Sequence, residues 1–489
     1  MAKMTTAVPV KVKHNGKTYD ITIDASLDGR SFKDAIYTAT GVPPERQKVM
    51  TKGGLLKDDT PLERLGAHAG QLFMVVGTAG ALPAQPVQPV KFLEDMPDAD
   101  VAQAADVRAG LVNLGNTCYL NSTLQVLRMI PELGAALKES PARIGTSGDA
   151  GLVAALRDLY RDLGNTTEAV PPIVFLTVLR QLAPQFAERG EGGGYAQQDA
   201  EEVYVRIVNS LSSLSAPGAD GRLTEQYMTG TMSTERRNIE AADEAPTSGS
   251  EPFLMLHCNI SSATNEMTAG ILDALEQRVE KHSEMLGRTA IHSEKSRVSR
   301  LPKYLSVHFV RFFWRRDINR KTKIMRKVKF PFELDARAFA TPELAAQLDP
   351  AAGMLRDLEK ARDERRRVRR RNPKSDEEAD AEEARVRSEE DAQLNECVSP
   401  AVRADTGSNH TGLYDLVGIV THKGADADAG HYMGWTRRED ADAPGGLSDS
   451  WYRFDDDRVT IVEKDKIEGL SGGGEDSVAY ILLYRAKEL

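Results

Sequence analysis

The sequence predicts an α+β protein of two units, on three observations. An Asn-Gly hairpin signal opens a strand–strand–helix–strand–strand pattern over residues 8–77, a Pro-, Ala- and Gln-rich stretch follows at 78–106, and residues 107–487 begin helical and end rich in strands. The apolar fraction of 40% and charged fraction of 28% are ordinary for a globular chain, so there is material for a core in each unit. A net charge of -10 argues against a general nucleic-acid binder, which concentrates positive charge against phosphates, and directs attention to protein partners. With no run of about 18 apolar residues and no apolar signal region at the N-terminus, neither a membrane span nor secretion is expected, and the location read from the sequence is cytoplasmic and nuclear.

In the first unit, PVKVKH and TYDITI flank Asn15-Gly16, whose tolerance of positive φ suits a type I′ turn. Ser31 is expected to cap a helix with Phe32, Ala35, Ile36 and Ala39 on one face and Gly41 at its end. QKVMT, the Gly53-Gly54 turn and QLFMVV complete the pattern, which is that of a β-grasp fold. The 78–106 stretch reads as a semi-extended, mobile linker. In the second unit YLSVHFVRFFW, YDLVGIVTH, HYMGW, WYRFD and VAYILLYR read as strands. Residues 355–395 interrupt it with RDERRRVRRR followed by SDEEADAEEARVRSEED, a solvated helix or disordered insertion whose halves offset each other's charge, with a nuclear-import or docking patch as the alternative.

Cys118, Cys258 and Cys397 include no CxxC pair, so neither a disulfide framework nor a four-cysteine zinc site is supported. Cys118 stands apart. In GLVNLGNTCYLNSTLQVLRMI, residues 110–130, Leu120, Leu124, Leu127 and Met129-Ile130 fall at helical spacing, NLGNT is turn chemistry, and Thr117 is placed to cap. Cys118 then lies in the first helical turn, where unpaired N–H groups and the helix dipole favour an anion. Taken alone, an intracellular cysteine is more often a small buried hydrophobe. A thiolate nucleophile also needs a base and a group that orients the base.

Two histidines compete for that role in VGIVTHKGADADAGHYMGW. His422 ends an apolar strand and reads as structural, whereas His431 follows a Gly- and Asp-rich loop and starts a strand, which suits presentation to a cleft. His308, inside an alternating strand, reads as core. WYRFDDDRV supplies Asp455, Asp456 and Asp457 at a strand end. They lack the spacing of a calcium loop, and one of them is expected to accept the Nδ1–H of His431.

With these segments in view, GLVNLGNTCYLNSTLQVL resembles the cysteine box of the ubiquitin-specific proteases, GHYMGW with WYRFDDD resembles their histidine box, and QQDAEEVY resembles their glutamine–aspartate helix. RQKVMTKGGLLKDD, PPIVFL, PQFAERGE, SRLPKYLSVHFVRFF, KVKFPFELD and SGGGEDSVAYILLY extend the likeness to the proteasome-associated members of that family, over nearly the whole chain except the charged insertion. The resemblance implies a ubiquitin-like domain followed by a papain-like hand of thumb, palm and fingers. It implies Cys118 as nucleophile, His431 as base, Asp455 as orienting acid and Asn113 as oxyanion donor. Gln197, Gln198 and Asp199 would seat the ubiquitin tail, and Asp456 would support the oxyanion or the histidine. The implied partners are ubiquitin, ubiquitinated proteins and, through the ubiquitin-like domain, the 26S proteasome regulatory particle. No cofactor is expected, and no fingers zinc, since no cysteine pair exists to bind one. Two segments, Phe313–Ile324 and Lys423–Gly430, match loops that cover the tail groove in relatives. A non-enzymic ubiquitin-binding scaffold and a protease for another ubiquitin-like modifier are the rival readings.

Overall fold

The structure is a computed structural model that describes residues 7–78, 107–190, 193–218, 220–315, 320–371, 377–424, 430–440, 446–472 and 477–488. The chain divides into two compact units, Met1–Phe92 and Leu93–Leu489. The linker expected at 78–106 lies, apart from Thr78, outside the described residues.

In the first unit β1 (Ala7–His14) and β2 (Lys17–Asp24) pair in antiparallel register across Asn15 (φ 45) and Gly16 (φ 76), the left-handed pair that a type I′ turn requires. With β3 (Lys48–Thr51), β4 (Gly54–Leu55) and β5 (Leu72–Val76) they form a sheet of order β2-β1-β5-β3-β4, in which β1 and β5 run parallel. The helix Gly29–Thr40 lays Phe32 and Ile36 on this sheet, Phe32 meeting Phe73 edge-on at 5.2 Å. Each such buried side chain contributes about 1.5–3 kcal/mol. Gly41, at φ 73, ends the helix as its sequence indicates. Its start differs from expectation: Asp28 is the cap and accepts from the Ser31 N–H at 3.0 Å, so Ser31 is already inside the first turn. The earlier start is possible because Gly29 passes against the Lys57 carbonyl, where a Cβ would sit 2.1 Å away. Ala39 is exposed, since the face that meets the sheet narrows toward the helix end.

The second unit is built on an eight-stranded sheet. Its path runs β18 (Arg458–Glu463), β17 (Leu447–Asp455), β16 (His431–Glu439), β15 (Leu413–Lys423), β19 (Val478–Ala486), β11 (Tyr304–Phe309) and β8 (Met255–Cys258), with β14 (Glu333–Asp335) on β15. One face packs on the helices of residues 118–227 and the other on a second apolar cluster that includes Trp435, Trp451 and Leu482. The helix Cys118–Leu127 is buried on every side rather than along one stripe, because β15, β16 and the helix Ala200–Ser210 enclose it. Its close approach depends on glycine. A Cβ on Gly434 of β16 would meet the Ser122 carbonyl at 3.1 Å, and one on Gly418 of β15 would meet Val126 at 2.8 Å.

A separate four-stranded sheet, β7-β6-β10-β9, comprises β6 (Gly230–Asn238), β7 (Thr247–Phe253), β9 (Glu276–Ser283) and β10 (Arg288–Arg300). At its end the Glu244 carboxylate accepts from Asn238 and from Ser283, a polar clasp within the hairpin tips. Among the described residues no group of three or more His, Cys, Asp or Glu is arranged to hold a metal ion, and no helix is long and apolar enough to cross a membrane.

The charged insertion is helical. Pro342–Arg371 and Glu377–Cys397 pack together, with Arg362 and Arg365 both paired to Glu390. The first helix starts at Pro342, ahead of the charge run at 355–395, and buries Leu348, Ala351, Ala352, Leu355 and Leu358, so it grows out of the core before turning charged.

Candidate active site

Cys118 is the first residue of its helix, buried at 2% exposure, and its neighbours are set by the loop before it. That loop is held by Asn113. Its Oδ1 accepts from Gly115 N–H at 2.9 Å and Thr117 N–H at 3.3 Å, and its Nδ2 donates to Asp456 Oδ2 at 2.8 Å. Thr117 occupies the cap position but its side chain makes no cap bond. At ψ 11 its hydroxyl turns back into the loop, accepting from Leu114 N–H at 2.9 Å. Asn116, at φ 55, ties the same loop to the Tyr195 carbonyl.

His431 opens β16 and Asp455 closes β17. These strands pair through Gly434 and Phe454, which brings the two ends side by side. His431 and Asp455 Oδ1 are 2.6 Å apart, and the ring nitrogen involved is Nε2, not the expected Nδ1. The reason is reach: the imidazole extends to the neighbouring strand with its distal nitrogen. Nδ1 is thereby left free of Asp455, with the Cys118 thiol near enough to act on the ring's titration. The Cys118 sulfur is the main cause of a His431 pKa raised to about 9, with the Asp455 bond adding to it and burial opposing. Burial by itself would raise the Asp455 carboxyl, but the bond and charge of His431, together with Arg453, hold it below the usual range. Arg453 Nη2 donates to Asp455 Oδ2 at 2.6 Å.

Asp456 follows at φ 53 and serves two asparagines. Its Oδ2 takes Asn113 and its Oδ1 takes Asn121 Nδ2 at 2.8 Å. Asp199 caps the helix Ala200–Ser210 by accepting from Glu201 N–H, and it also accepts from the Tyr480 hydroxyl at 2.7 Å. Gln197 and Gln198 are half-buried just before that helix, and the Gln197 Nε2 is buried with no hydrogen-bond partner among the described residues. The other thiols differ from Cys118 in setting. Cys258 is wholly buried and pushed up to about 12 by burial, and Cys397 lies on the insertion.

His422 is fully buried, with its pKa driven down to about 3 by burial and then by the nearby positive charges of Lys323 and His431. His308 is buried on β11, edge-on to Tyr480 and to His257. Of the two segments matched to groove-covering loops, 425–429 and 316–319 lie outside the described residues. Around the latter, β12 (Phe312–Arg315) pairs with β13 (Arg320–Lys323) as a hairpin. Lys323 links the two segments, donating from Nζ to the His422 carbonyl at 2.8 Å and the Gly424 carbonyl at 3.0 Å.

The sequence did not single out Arg453, Asn121, Tyr480 or Lys323. Arg453 alone had a local signal, since it lies two residues before Asp455 and so on the same strand face. The others reach the site across 99 to 335 positions of chain.

Comparison with known proteins agrees over most of the length. The "Ubiquitin carboxyl-terminal hydrolase" family profile matches residues 109–484, and the "Ubiquitin family" profile matches 9–80. The chain is 44% identical to "Ubiquitin carboxyl-terminal hydrolase 6" of Schizosaccharomyces pombe, over 99% of both chains. It is 38% identical to the Arabidopsis thaliana protein of that name, over 98% of both, and 32% identical to "Ubiquitin carboxyl-terminal hydrolase 14" of Caenorhabditis elegans, over 98% of this chain and 93% of that one. Among solved structures, the SAGA Ubp8/Sgf11/Sus1/Sgf73 DUB module bound to ubiquitin aldehyde matches with a TM-score of 0.50 and 18% identity, over 78% of this chain and 70% of that chain, a likeness of fold. With an N-terminal ubiquitin-like β-grasp unit and this α+β hydrolase unit behind it, the chain belongs to the ubiquitin carboxyl-terminal hydrolase family.

Proposed function

We propose that the protein is a deubiquitinating thiol hydrolase that cleaves the bond after the C-terminal glycine of ubiquitin, with Cys118, His431 and Asp455 as its catalytic set. The observation that carries this reading is the His431–Asp455 hydrogen bond with the buried Cys118 thiol acting on the same ring, assembled from residues far apart in sequence. A His431 pKa raised to about 9 favours imidazolium beside the sulfur, the charge pair from which a thiolate attacks. The sulfur adds to the glycine carbonyl carbon, and the carbonyl electrons move to oxygen. The Asn113 amide, already oriented by Asp456, donates to that oxyanion. Collapse expels the lysine amine, which takes the proton from His431. Water, deprotonated by the now neutral ring, then releases ubiquitin and restores the thiol. Gln197, Gln198 and Asp199 line the approach of the tail, and the buried Gln197 Nε2 is available for a backbone carbonyl of an extended peptide.

The ubiquitin-like unit supports docking to the 26S proteasome regulatory particle, and with it cytoplasmic and nuclear residence. Met50 is paired to both Leu55 and Met74 across the sheet, and with Leu72 and Val76 these exposed side chains make an apolar face flanked by Lys11, Lys13 and Lys48.

A ubiquitin carrying a C-terminal electrophile is expected to form one covalent adduct, absent in Cys118→Ala. Labelling that persists in that variant would refute the assignment. Hydrolysis of a fluorogenic ubiquitin amide with and without proteasome, repeated for Met74→Glu, tests the docking. Equal proteasome binding by the variant would remove this face from the interaction.

A further inference from the structure

A cavity of 570 Å³ is walled by Arg108, Arg128, Lys138, Arg157 and Arg161, together with Ile130, Leu137 and Tyr160. No residue lining it is acidic, in a protein whose net charge is -10. The cations converge from the segment before the helix, from its C-cap, and from the helices Pro131–Glu139 and Asp149–Gly164. Their compensation is unequal. Asp158 pairs with Arg157 at 3.1 Å and with Arg161 at 3.1 Å, and Asp162 pairs with Arg161. Arg157 is further fixed by the carbonyls of Ser140 and Ala142. Arg128 and Lys138, by contrast, form no ion pair among the described residues.

Arg128 is oriented rather than neutralised. Its Nη1 donates to Gln125 Oε1 at 3.2 Å, and its guanidinium lies 5.9 Å from the centre of the Tyr160 ring. Burial, and secondarily repulsion by Arg108, lower its pKa to about 10. Convergent like charges cost stability unless something of opposite sign spans them. A cavity of this size exceeds what a single carboxylate or chloride needs and lies within the range of small-molecule sites, about 300–1,000 Å³. Arginine forks match phosphate oxygens in bidentate geometry, and lysine adds a point charge.

We propose that this pocket binds a compact small molecule bearing several phosphate groups. The site is separate from the hydrolytic residues, so its test reads binding and does not depend on the activity assigned above. A soluble inositol polyphosphate and the head group of a phosphoinositide share the required chemistry. Inositol hexakisphosphate titrated into the full-length protein by calorimetry examines the first, and flotation with vesicles containing phosphatidylinositol 4,5-bisphosphate examines the second. At low salt the soluble probe is expected to bind at one site and to raise the thermal midpoint. Arg128→Gln should weaken binding roughly 10-fold or more, the loss of about 1.4 kcal/mol. Lys138→Ala, at an exposed position whose side chain makes no ion pair or hydrogen bond among the described residues, should weaken it roughly 3-fold and keeps the test independent of folding. Arg278→Ala, on the exposed edge strand β9, should leave it unchanged. Binding of vesicles but not of the soluble probe would assign the phosphates to a lipid. No binding of either probe, equal affinity in all three variants, or binding only of an acidic peptide would overturn the proposal.

Discussion

His431 meets Asp455 through Nε2 at 2.6 Å, and the Cys118 sulfur acts on the same ring. Both partners favour the charged ring, so its pKa stands at about 9, above the ordinary 6.5. Since expulsion of a lysine amine requires the proton that this ring carries, kcat/KM on a ubiquitin amide is expected to hold through neutral pH and to fall as pH rises through about 9. The sign follows from the raised pKa: the imidazolium is favoured below it and lost above it. A pH profile whose alkaline limb begins near 7 would contradict the ion pair.

Asp455→Asn removes one of the groups that raise the ring. The alkaline limb should then move to lower pH, and kcat/KM at pH 8 should fall roughly 10²-fold or more, within the range of a positioned acid–base residue. Arg453→Ala, which deletes only the brace at Asp455 Oδ2, should give a smaller shift in the same direction. An unchanged limb in Asp455→Asn would leave Asp455 with a packing role alone.

Asp456 couples Asn113, the proposed oxyanion donor, to Asn121 of the Cys118 helix, because its two oxygens take the two amides at 2.8 Å each. Asn113→Ala is expected to lower kcat by roughly 10²–10³-fold with little change in KM. Asp456→Asn keeps a residue that tolerates φ 53 but leaves one acceptor oxygen for two donors. Its kcat should fall roughly 10-fold. A KM effect without a kcat effect would place Asn113 in ubiquitin binding instead.

How much of this was legible in the sequence depended on the range of the interactions. Asn15-Gly16 and Gly41 are local devices, and their turns are where the residues indicate. Cys118 at a helix start was legible because NLGNT and the apolar spacing after it lie within a dozen residues. The four-stranded sheet was not: β7 is mostly exposed along its length, so no alternation marks it. Which of three aspartates meets His431, and with which ring nitrogen, depends on strand register and on the reach of the side chain. The same holds for the basic cavity, whose cations are spread over residues 108–161 and look like an ordinary solvated scatter until helices bring them together.

Lys323 is a buried tie between the β12–β13 hairpin and the strand end that leads toward His431. Its Nζ serves the carbonyls of His422 and Gly424, and burial lowers its pKa to about 8, with Arg311 adding to the effect. Lys323→Met should leave the buried His422 carbonyl without this donor, a loss of roughly 1–3 kcal/mol partly offset by removal of a desolvated charge. The pH dependence has a definite sign. A lysine whose folded pKa lies below its unfolded 10.5 carries its charging penalty fully below about 8 and is relieved of it as pH rises toward 10.5. The stability gap between parent and Lys323→Met is therefore expected to widen across that window. In the same variant, amide exchange at the C-terminal end of β15 should quicken while exchange in β19 stays slow. Uniformly faster exchange over the whole sheet would mean that Lys323 supports the domain at large, and no change at residues 421–424 would mean that the two segments are held together without it.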